Sequence, residues 1–320
     1  MSHIDRVLRS NIKLRHLQLV VALDQFRHLG RTAEFLSVTQ PAVSKMLSEV
    51  ESMFGTVLFD RSSRGTEPTA AGLSLVRFAR STLAEYERTR DEMAAVASGA
   101  AGRTRVGAMV VAMPVLLANA IALLKQDSTQ AVVLVEQGDL THLLPKLRLG
   151  ELDIFVGRLE PGYAAPDLLT EALYNEPMVA VVKPTHAFAR KARVTWNDLS
   201  KAACVLPPPW ASLRVKLEQQ FYKHELQPPS DIIETSSFLA LLIFLNDRSA
   251  VGFVARSVGQ RFEREGLMCI IKLNVAVDLP AVGLITVRNR KLTATTLKLM
   301  ECLRGVAGPF QGVPATGLPL

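Results

Sequence analysis

The sequence predicts a small all-α N-terminal domain, a long connecting helix and an α/β body made of two lobes. Apolar residues recur with the period of a helix through the first 60 residues, and then at steps of three and four over residues 69–97. From residue 103 to residue 305, short apolar runs alternate with helical patterns, which is typical of parallel α/β sheets. Nine predicted strands in roughly 200 residues indicate two small lobes and not one sheet.

Composition excludes several classes of protein. Hydrophobic residues make up 48% and charged residues 21% of the 320 residues, which is typical of a globular chain and not of a disordered one. The three cysteines form no CxxC pair, so we expect no disulfide framework, no zinc finger and a reducing cytoplasm. We find no secretion signal and no apolar run of the roughly 18 residues that a membrane helix needs, the longest candidate being 238–245.

The excess positive charge is concentrated at the N-terminus. Residues 1–80 hold 11 Lys and Arg against 7 Asp and Glu, so a quarter of the chain carries +4 of the net charge of +7. A basic domain attached to a nearly neutral body indicates that this domain meets an anionic partner.

Three helices are predicted in this domain, over residues 14–24, 30–36 and 40–54. Thr39 is placed to cap the third helix, Pro41 suits its first turn and Gly55 suits its end. One face of the third helix is apolar (Val43, Leu47, Val50 and Phe54), and the opposite face carries Pro41, Ser44, Lys45 and Ser48. Small hydrogen-bonding side chains at the start of a helix suit close approach to the DNA major groove.

A winged hairpin is predicted after the third helix. Residues 57–59 are expected to form a strand, residues 60–66 a basic turn and residues 67–69 the returning segment. Arg61 and Arg64 would then meet phosphate or the minor groove. An ordinary surface hairpin is the alternative interpretation of the same spacing.

These residues together resemble the winged helix-turn-helix domain of LysR-type bacterial transcription regulators. The motifs that carry the resemblance are Leu14-Arg-His-Leu, Arg31-Thr-Ala33, Leu36-Ser-Val-Thr-Gln-Pro-Ala-Val-Ser-Lys45, Val50-Glu51, Phe54-Gly55, Leu58-Phe59-Asp60-Arg61 and Thr69-Ala-Ala-Gly72. Thr32 and Pro68 depart from the Ala and Leu usual in the family. The resemblance implies sequence-specific binding to double-stranded DNA at an inverted repeat, with contacts from Arg31, Thr39, Gln40, Pro41, Ser44, Lys45, Ser48, Arg61 and Arg64.

The long helix is predicted from its N-cap, Thr69, to about Ala97. Apolar residues spaced at three and four are typical of a coiled-coil seam, interrupted here by Arg90, although packing on the helix's own domain is the alternative. The seam residues are Val76, Ala79, Leu83, Tyr86, Arg90, Met93 and Ala97. In the resembled family this helix forms a dimer, which implies a homo-oligomer, here expected to be a tetramer built as a dimer of dimers.

The segment Leu147-Arg-Leu-Gly-Glu-Leu-Asp-Ile-Phe-Val-Gly-Arg158 resembles the first lobe of the family's periplasmic-binding-protein-like effector domain, which has two Rossmann-like lobes. The expected domains are 1–69 (DNA binding), 70–98 (linker helix), 99–102 (hinge), 103–305 (effector binding) and 306–320 (flexible tail). Within the effector domain, lobe one is 103–174 with 276–305, and lobe two is 175–275. Strands are predicted at 104–107, 132–136, 154–157, 178–182, 203–206, 231–234, 251–254, 268–273 and 281–287.

A small-molecule effector is expected between the lobes, at the carboxyl ends of the strands. The predicted contacts are Met109, Val110, Val111, Asp139, Arg158, Pro208, Ser212, Ser236 and Ser237. Helix N–H groups beside Ser212 and Ser237 favour an anionic or hydroxylated ligand. Arg158 aligns with an Arg of family members that sense aromatic-catabolism acids and would hold a carboxylate, although pairing with Glu160 or Asp139 is the alternative. Asp139 points instead to a sugar or another hydroxylated ligand.

The predicted function is therefore that of a cytoplasmic transcription regulator controlled by a small organic inducer. No cofactor or metal is expected, no membrane partner is expected, and RNA polymerase is a partner if the protein activates transcription. No GxSxG elbow, no P-loop, no GxGxxG after a strand and no HExxH appears, which argues against an α/β enzyme. A redox-sensing regulator that uses Cys204 is the other alternative.

Overall fold

A computed structural model describes residues 3–62, 65–98, 102–275 and 277–310. These residues fall into two compact units. One unit holds the N-terminal domain and the long helix, and the other holds two five-stranded sheets. Arg64 of the predicted wing, residues 99–101 of the predicted hinge and residues 311–320 of the predicted tail lie outside the described residues.

The first unit is helical, with a small hairpin. Its elements are α1 (His3–Arg6), a π-helical turn (Val7–Asn11), α2 (Leu14–Phe26), α3 (Leu29–Phe35), α4 (Gln40–Phe54), β1 (Phe59–Ser62), β2 (Gly65–Pro68) and α5 (Ala70–Ser98). The predicted ends of α4 are confirmed. Thr39 Oγ1 accepts a hydrogen bond from the Ala42 amide, and Gly55 adopts the left-handed conformation at φ 65°.

The hairpin differs from the prediction in its bounds. The two strands extend into the predicted basic turn and pair antiparallel from Phe59 with Pro68 to Ser62 with Gly65. The predicted strand began at Val57, but the amides of Leu58 and Phe59 donate to the Glu51 carboxylate instead of to a neighbouring strand. A helix side chain therefore holds the entry to the hairpin.

The core of the first unit confirms the predicted apolar face of α4. Val43, Leu47 and Val50 are fully buried, and they pack with Leu19 and Leu23 of α2. Burial of each such side chain contributes about 1.5–3 kcal/mol to the free energy of unfolding. This packing turns the opposite face of α4 outward.

The predicted coiled-coil seam on α5 is wrong in its first half. Val76 and Ala79 are buried in the core of the N-terminal domain, and Leu83 packs against the same core. The alternative prediction, packing of the helix on its own domain, therefore holds for this part of α5. The spacing alone does not distinguish the two cases, because a helix that packs on its own domain has nearly the same apolar period as a coiled coil.

Protonation of His16 is expected to destabilise the first unit. The imidazole is fully buried in α2, and burial lowers its pKa below the usual 6.5, with Arg15 and Lys13 acting in the same direction and Glu49 in the other. The unfolded chain then binds a proton more readily than the folded one. Stability should therefore fall as the pH drops from 7 through 6.5 to 5.5. Urea unfolding at pH 7 and at pH 5.5 checks this, and His16→Asn should reduce the loss whereas His142→Asn, at an exposed position, should not.

The second unit contains ten strands and seven α-helices in its described residues. The strands are β3 (Arg103–Ala108), β4 (Val132–Gln137), β5 (Ile154–Arg158), β6 (Leu168–Tyr174), β7 (Met178–Val182), β8 (Cys204–Leu206), β9 (Ile232–Glu234), β10 (Val251–Ala255), β11 (Cys269–Ile270) and β12 (Val282–Val287). The helices are α6 (Ala118–Asp127), α7 (Leu140–Leu149), α8 (Trp196–Leu199), α9 (Ser212–Lys223), α10 (Phe238–Asp247), α11 (Arg256–Arg264) and α12 (Ala294–Ala307).

Both sheets are mixed, which corrects the prediction of parallel sheets. The strand orders are β4-β3-β5-β12-β6 in the first sheet and β11-β7-β10-β8-β9 in the second. In each sheet one strand runs against its neighbours, namely β12 in the first and β7 in the second. Each of these is the first strand after the chain crosses from one sheet to the other, at residues 175–177 and 271–281. No helical crossover precedes it, so the parallel direction is not enforced.

Strand β6 was missed by the sequence prediction. Its sequence, LLTEALY, is rich in residues that favour helices, and it lies at the edge of the first sheet beside β12. The last helix also continues past the predicted boundary at residue 305. Ala307 is fully buried, and the ring of Phe310 in the following 3-10 turn lies 5.3 Å from that of Tyr174. Residues 306–310, predicted as part of the flexible tail, are thus helical and packed.

One helical stretch, Val110–Asp127, is long and apolar enough to cross a membrane by length and composition, which the sequence reading overlooked. It is divided into a 3-10 turn (Val110–Ala112), a π-helical turn (Met113–Leu117) and α6. Leu116, Leu117 and Leu124 are buried in the core of the first sheet. The inner face of this stretch therefore belongs to the core of the α/β unit, and a core helix can be as long and apolar as a membrane-spanning one.

Candidate DNA-reading surface and effector site

The outward face of α4 carries most of the side chains predicted to contact DNA. Gln40, Pro41, Lys45 and Ser48 are exposed, and Ser44 is half-buried. Thr39 is exposed too, but its hydroxyl is engaged in capping α4, with the Ala42 amide at 3.4 Å. Arg31 lies exposed on α3, and Arg64 lies outside the described residues. We call the exposed face formed by Gln40, Pro41, Ser44, Lys45 and Ser48 the reading face.

Arg61 of the hairpin lies on the reading face and not away from it. Its guanidinium donates to Ser44 Oγ at 3.0 Å and to Ser48 Oγ at 3.3 Å. Glu51 Oε2 lies 3.7 Å from the same guanidinium, while Glu51 Oε1 accepts from the amides of Leu58 and Phe59. The structure thus brings three predicted DNA contacts together through the guanidinium of Arg61, beside a carboxylate that was not predicted to take part. The signal for Glu51 was its position seven residues after Ser44, on the same side of the helix.

The capping of α3 was also missed by the sequence reading. His28 Nδ1 accepts hydrogen bonds from the amides of Gly30 at 3.0 Å and Arg31 at 3.4 Å. This interaction orients the helix that carries Arg31. Histidine is not among the usual N-cap residues, so the sequence offered little signal for it.

In the second unit, Arg158 is buried where the two crossovers between the sheets meet. Its guanidinium donates to the carbonyl oxygens of Pro280 and Glu176, both at 2.8 Å, and lies 3.3 Å from Met178 Sδ. Pro280 belongs to one crossover and Glu176 to the other, so one side chain is bonded to both. Burial lowers the pKa of Arg158, although the charges of Glu176 and Glu160 oppose this shift. The alternative prediction, an ion pair with Glu160 or Asp139, is wrong because the guanidinium bonds backbone carbonyls instead.

Glu176 extends this arrangement into the second sheet. Its carboxylate accepts from the Ser257 amide at 3.1 Å, at the start of α11. Burial raises the pKa of Glu176, although the hydrogen bond from the Ser257 amide and the charge of Arg158 oppose this shift. Arg158, Glu176 and Ser257 therefore form a continuous connection from β5, across the first crossover, to α11.

Asp139 serves mainly as a cap for α7. Its carboxylate accepts from the hydroxyl of Thr141, from the His142 amide at 3.1 Å and from His142 Nδ1 at 2.8 Å. Burial raises the pKa of Asp139, but these hydrogen bonds outweigh that effect and the pKa lies below its usual range. One of the two carboxylate oxygens, Oδ1, takes all three bonds, which leaves Oδ2 as the oxygen available to a ligand.

One polar contact joins the predicted loops of the two lobes. Ser212 Oγ, at the start of α9, donates to Glu160 Oε2 at 2.8 Å, two residues beyond Arg158. The neighbouring loop is held by buried Arg214, which donates to the Pro207 carbonyl and to the carboxylates of Glu234 and Glu218. Arg214 was missed by sequence reading, although its i,i+4 spacing to Glu218 was a signal.

The remaining predicted effector contacts differ in burial and in their partners. Val111 packs against the cores of both lobes, while Met109 packs against lobe one. Val110 and Pro208 are half-buried, and Ser236 and Ser237 are exposed. Ser237 Oγ is engaged in capping α10 through the Ala240 amide at 3.2 Å. Apolar and hydroxyl-bearing side chains therefore dominate the predicted set.

The environment of Cys204 does not favour redox chemistry. The thiol is 1% exposed within β8, and burial raises its pKa to about 12. Thiolate is the reactive form toward peroxide, so burial and the raised pKa disfavour oxidation of this thiol. Burial also raises the pKa of Cys269 and Cys302.

Comparisons with known proteins agree with this architecture. Residues 14–73 match the family described as "Bacterial regulatory helix-turn-helix protein, lysR family", and residues 97–308 match the LysR substrate binding domain. The chain is similar to the HTH-type transcriptional regulator GbpR of Azospirillum brasilense, with 30% identity over 94% of this chain and 88% of that protein. In fold it is similar to CbnR, a LysR family transcriptional regulator, with a TM-score of 0.71 and 19% identity over 92% of this chain and 99% of that one. The full-length CbnR complex with its target DNA gives a TM-score of 0.69 at 20% identity, over 92% and 100%.

The chain therefore belongs to the LysR family of transcription regulators. It combines a DNA-binding helix-turn-helix domain with an effector domain, and it is not an enzyme.

Proposed function

We propose that this chain is a cytoplasmic, homo-oligomeric regulator that binds an inverted-repeat DNA site and responds to a small organic inducer between its two lobes. The observation that carries the proposal is the reading face of α4, where Ser44 and Ser48 stand beside Arg61. If the protein activates transcription, RNA polymerase is a further partner. An inducer has an effect only if it binds one arrangement of the subunits more tightly than another.

An oligomer is supported by the outer side of α5. Phe78, Tyr86 and Met93 are exposed there and lie within about 80° of one another around the helix at 100° per residue. We propose that this apolar stripe, and not the buried seam of Val76 and Ala79, forms the dimer, with a dimer of dimers as the full assembly. Two reading faces held in this way would match the two-fold symmetry of an inverted repeat.

Selection from a random duplex pool tests the DNA-binding proposal. The full chain should enrich an inverted repeat, and its affinity for the selected site should fall steeply with salt, because contacts to phosphate release counterions. A single half-site of the same sequence is the control and should bind far more weakly than the repeat. Enrichment of no sequence, or equal affinity for the half-site and the repeat, would contradict the proposal.

The geometry around Arg158 favours a hydroxylated inducer over a carboxylated one. Two of the guanidinium's donors are committed to backbone carbonyls, whereas Glu160, Ser212 and Asp139 each keep oxygen lone pairs that can accept hydrogen bonds from a polyhydroxylated ligand. We therefore propose a sugar or a similar hydroxylated catabolite. An aromatic-pathway acid bound through Arg158 is the second candidate, and the experiment below includes it.

Thermal-shift measurements with sugars, aromatic acids and dicarboxylic acids distinguish the two classes of inducer. A sugar or polyol is expected to raise the melting temperature, because a ligand that binds only the folded state stabilises it. Ser212→Ala should reduce that shift, while Ser128→Ala, in the turn after α6, should leave it unchanged. A rise in melting temperature with acids alone would instead support binding of a ligand carboxylate by Arg158.

A further inference from the structure

We propose that Arg61 is a positioning residue for sequence readout, which holds Ser44 and Ser48 so that their hydroxyl protons point to acceptors on the DNA bases. This inference rests on the proposed DNA-reading function. It assigns Arg61 a role different from the phosphate or minor-groove contact that the sequence predicts.

The first support is the geometry of the contact. Ser44 and Ser48 are one helical turn apart on α4, and the two terminal nitrogens of Arg61 reach one hydroxyl oxygen each, at 3.0 and 3.3 Å. A guanidinium presents its donors in a rigid planar fork, so it can hold two acceptors at a set spacing, which a lysine cannot do.

The second support is that Arg61 is itself held in place. Glu51, three residues beyond Ser48 and only 17% exposed, lies 3.7 Å from the guanidinium. The same carboxylate accepts the amides of Leu58 at 2.9 Å and Phe59 at 3.2 Å, where the hairpin begins. The carboxylate thereby fixes both the backbone that leads to Arg61 and the charge of its side chain. An arginine that contacts only phosphate does not require a carboxylate that fixes its side chain against the helix.

The chemistry of the hydroxyl group gives the consequence for base preference. Arginine has no acceptor, so each serine oxygen must accept from Arg61 and keeps its own proton as a donor. Within the described residues, no hydrogen bond of the structure uses the hydroxyl proton of Ser44 or Ser48. In the major groove, guanine presents two acceptors and thymine one, adenine presents one acceptor (N7) beside an amino donor, and cytosine presents an amino donor alone. The nearby positive charge of Arg61 also favours acceptors over amino groups. The two serines should therefore favour guanine or thymine, tolerate adenine through N7 and reject cytosine.

The test measures the affinity of the full chain for its selected DNA site and for every single-base change of that site. Arg61→Ala should reduce discrimination by about tenfold at the same base pairs as Ser44→Ala and Ser48→Ala. A double variant that combines Arg61→Ala with Ser44→Ala should discriminate at those base pairs almost as well as Arg61→Ala alone, because the two changes remove the same interaction. Arg61→Lys should lose base discrimination to the same extent as Arg61→Ala, since the planar guanidinium fork and not the positive charge is required.

Lys45→Ala is the matched comparison, since Lys45 is an exposed cation on the same face. It should weaken binding across all sequences and lower the salt slope by about one. If Arg61→Ala behaves in that way instead, with base preference intact, Arg61 contacts phosphate and the inference is overturned. Rescue by Arg61→Lys would overturn it too. Melting curves show whether Arg61→Ala remains folded, and the comparison rests on Arg61→Lys if it does not. Absence of any sequence preference in the unchanged chain would refute the proposed function and not this inference alone.

Discussion

Replacing Arg158 by Ala is expected to destabilise the second unit by about 3 kcal/mol or more, because the change leaves one buried and one half-buried carbonyl oxygen without a donor. Arg158 is 5% exposed, and its guanidinium bonds Pro280 O and Glu176 O, one on each crossover between the sheets. The change also removes a positive charge that acts on the buried carboxylate of Glu176. Hydrogen exchange of the β7 and β12 amides in the full chain measures the loss, since these strands follow the two crossovers.

Arg248→Ala is the matched control for this prediction. Arg248 also makes two hydrogen bonds, both to the Asp231 carboxylate at 3.1 Å, but both side chains are more than half exposed. Exposed pairs contribute about 0–1 kcal/mol, so exchange should change little. Arg158→Lys should fall between the two, because an ammonium keeps the charge and lacks the fork. Equal effects of Arg158→Ala and Arg248→Ala would show that Arg158 does not hold the crossovers together.

Replacing Gly72 by Ala is expected to unfold or strongly distort the N-terminal domain. A Cβ atom at this position would lie 2.0 Å from the carbonyl oxygen of Leu58, which is backbone and cannot turn aside. The same oxygen accepts the Thr69 amide at 2.9 Å, so moving it also breaks the junction between the hairpin and α5. The cost is about 3 kcal/mol or more, at the upper end for overpacked cores. Fluorescence anisotropy with the selected DNA site should show at least a tenfold loss of affinity, together with a lower melting temperature of this unit.

Gly305→Ala serves as the control for the same chemical change in a helix. Gly305 lies within α12, and a Cβ atom there would meet nothing within 4 Å. Alanine is favoured over glycine in a helix interior by roughly 0.5–1 kcal/mol, so the second unit should become slightly more stable. DNA affinity should stay unchanged. A Gly72→Ala protein that melts and binds DNA like the unchanged chain would mean that the hairpin can move away from α5 at little cost.

The reading helix was predictable in detail because its signals are local. A capping threonine, a proline in the first turn, an apolar face and a terminal glycine all act within α4 itself, and the structure confirms both ends of the helix. The hairpin was less predictable, because its first strand begins at Phe59, where the amides of Leu58 and Phe59 donate to Glu51. Glu51 is close to them in space but seven and eight residues away in the chain, so no local pattern shows the contact.

The effector site was much less predictable from the sequence than the reading helix. Residue types at the predicted positions are compatible with a ligand, but the sequence reveals nothing about what else competes for their hydrogen bonds. Asp139 and Ser237 cap helices, and Arg158 bonds the two crossovers. The competing partner of Arg158 at Pro280 lies 122 residues away along the chain. Only after folding does such a carbonyl become the nearest acceptor.

The family, the reading helix, the long helix and the alternation of strands and helices in the body follow from the sequence alone, since these depend on local periodicity and short ordered motifs. Folding settles which face of α5 is left free, which strands run antiparallel and which polar side chains remain available to DNA or to an inducer. A buried donor or acceptor must find a partner, and the partners of Arg158 and Glu176 come from distant segments. Only the polar groups that these bonds leave unused are available to bind DNA or an inducer.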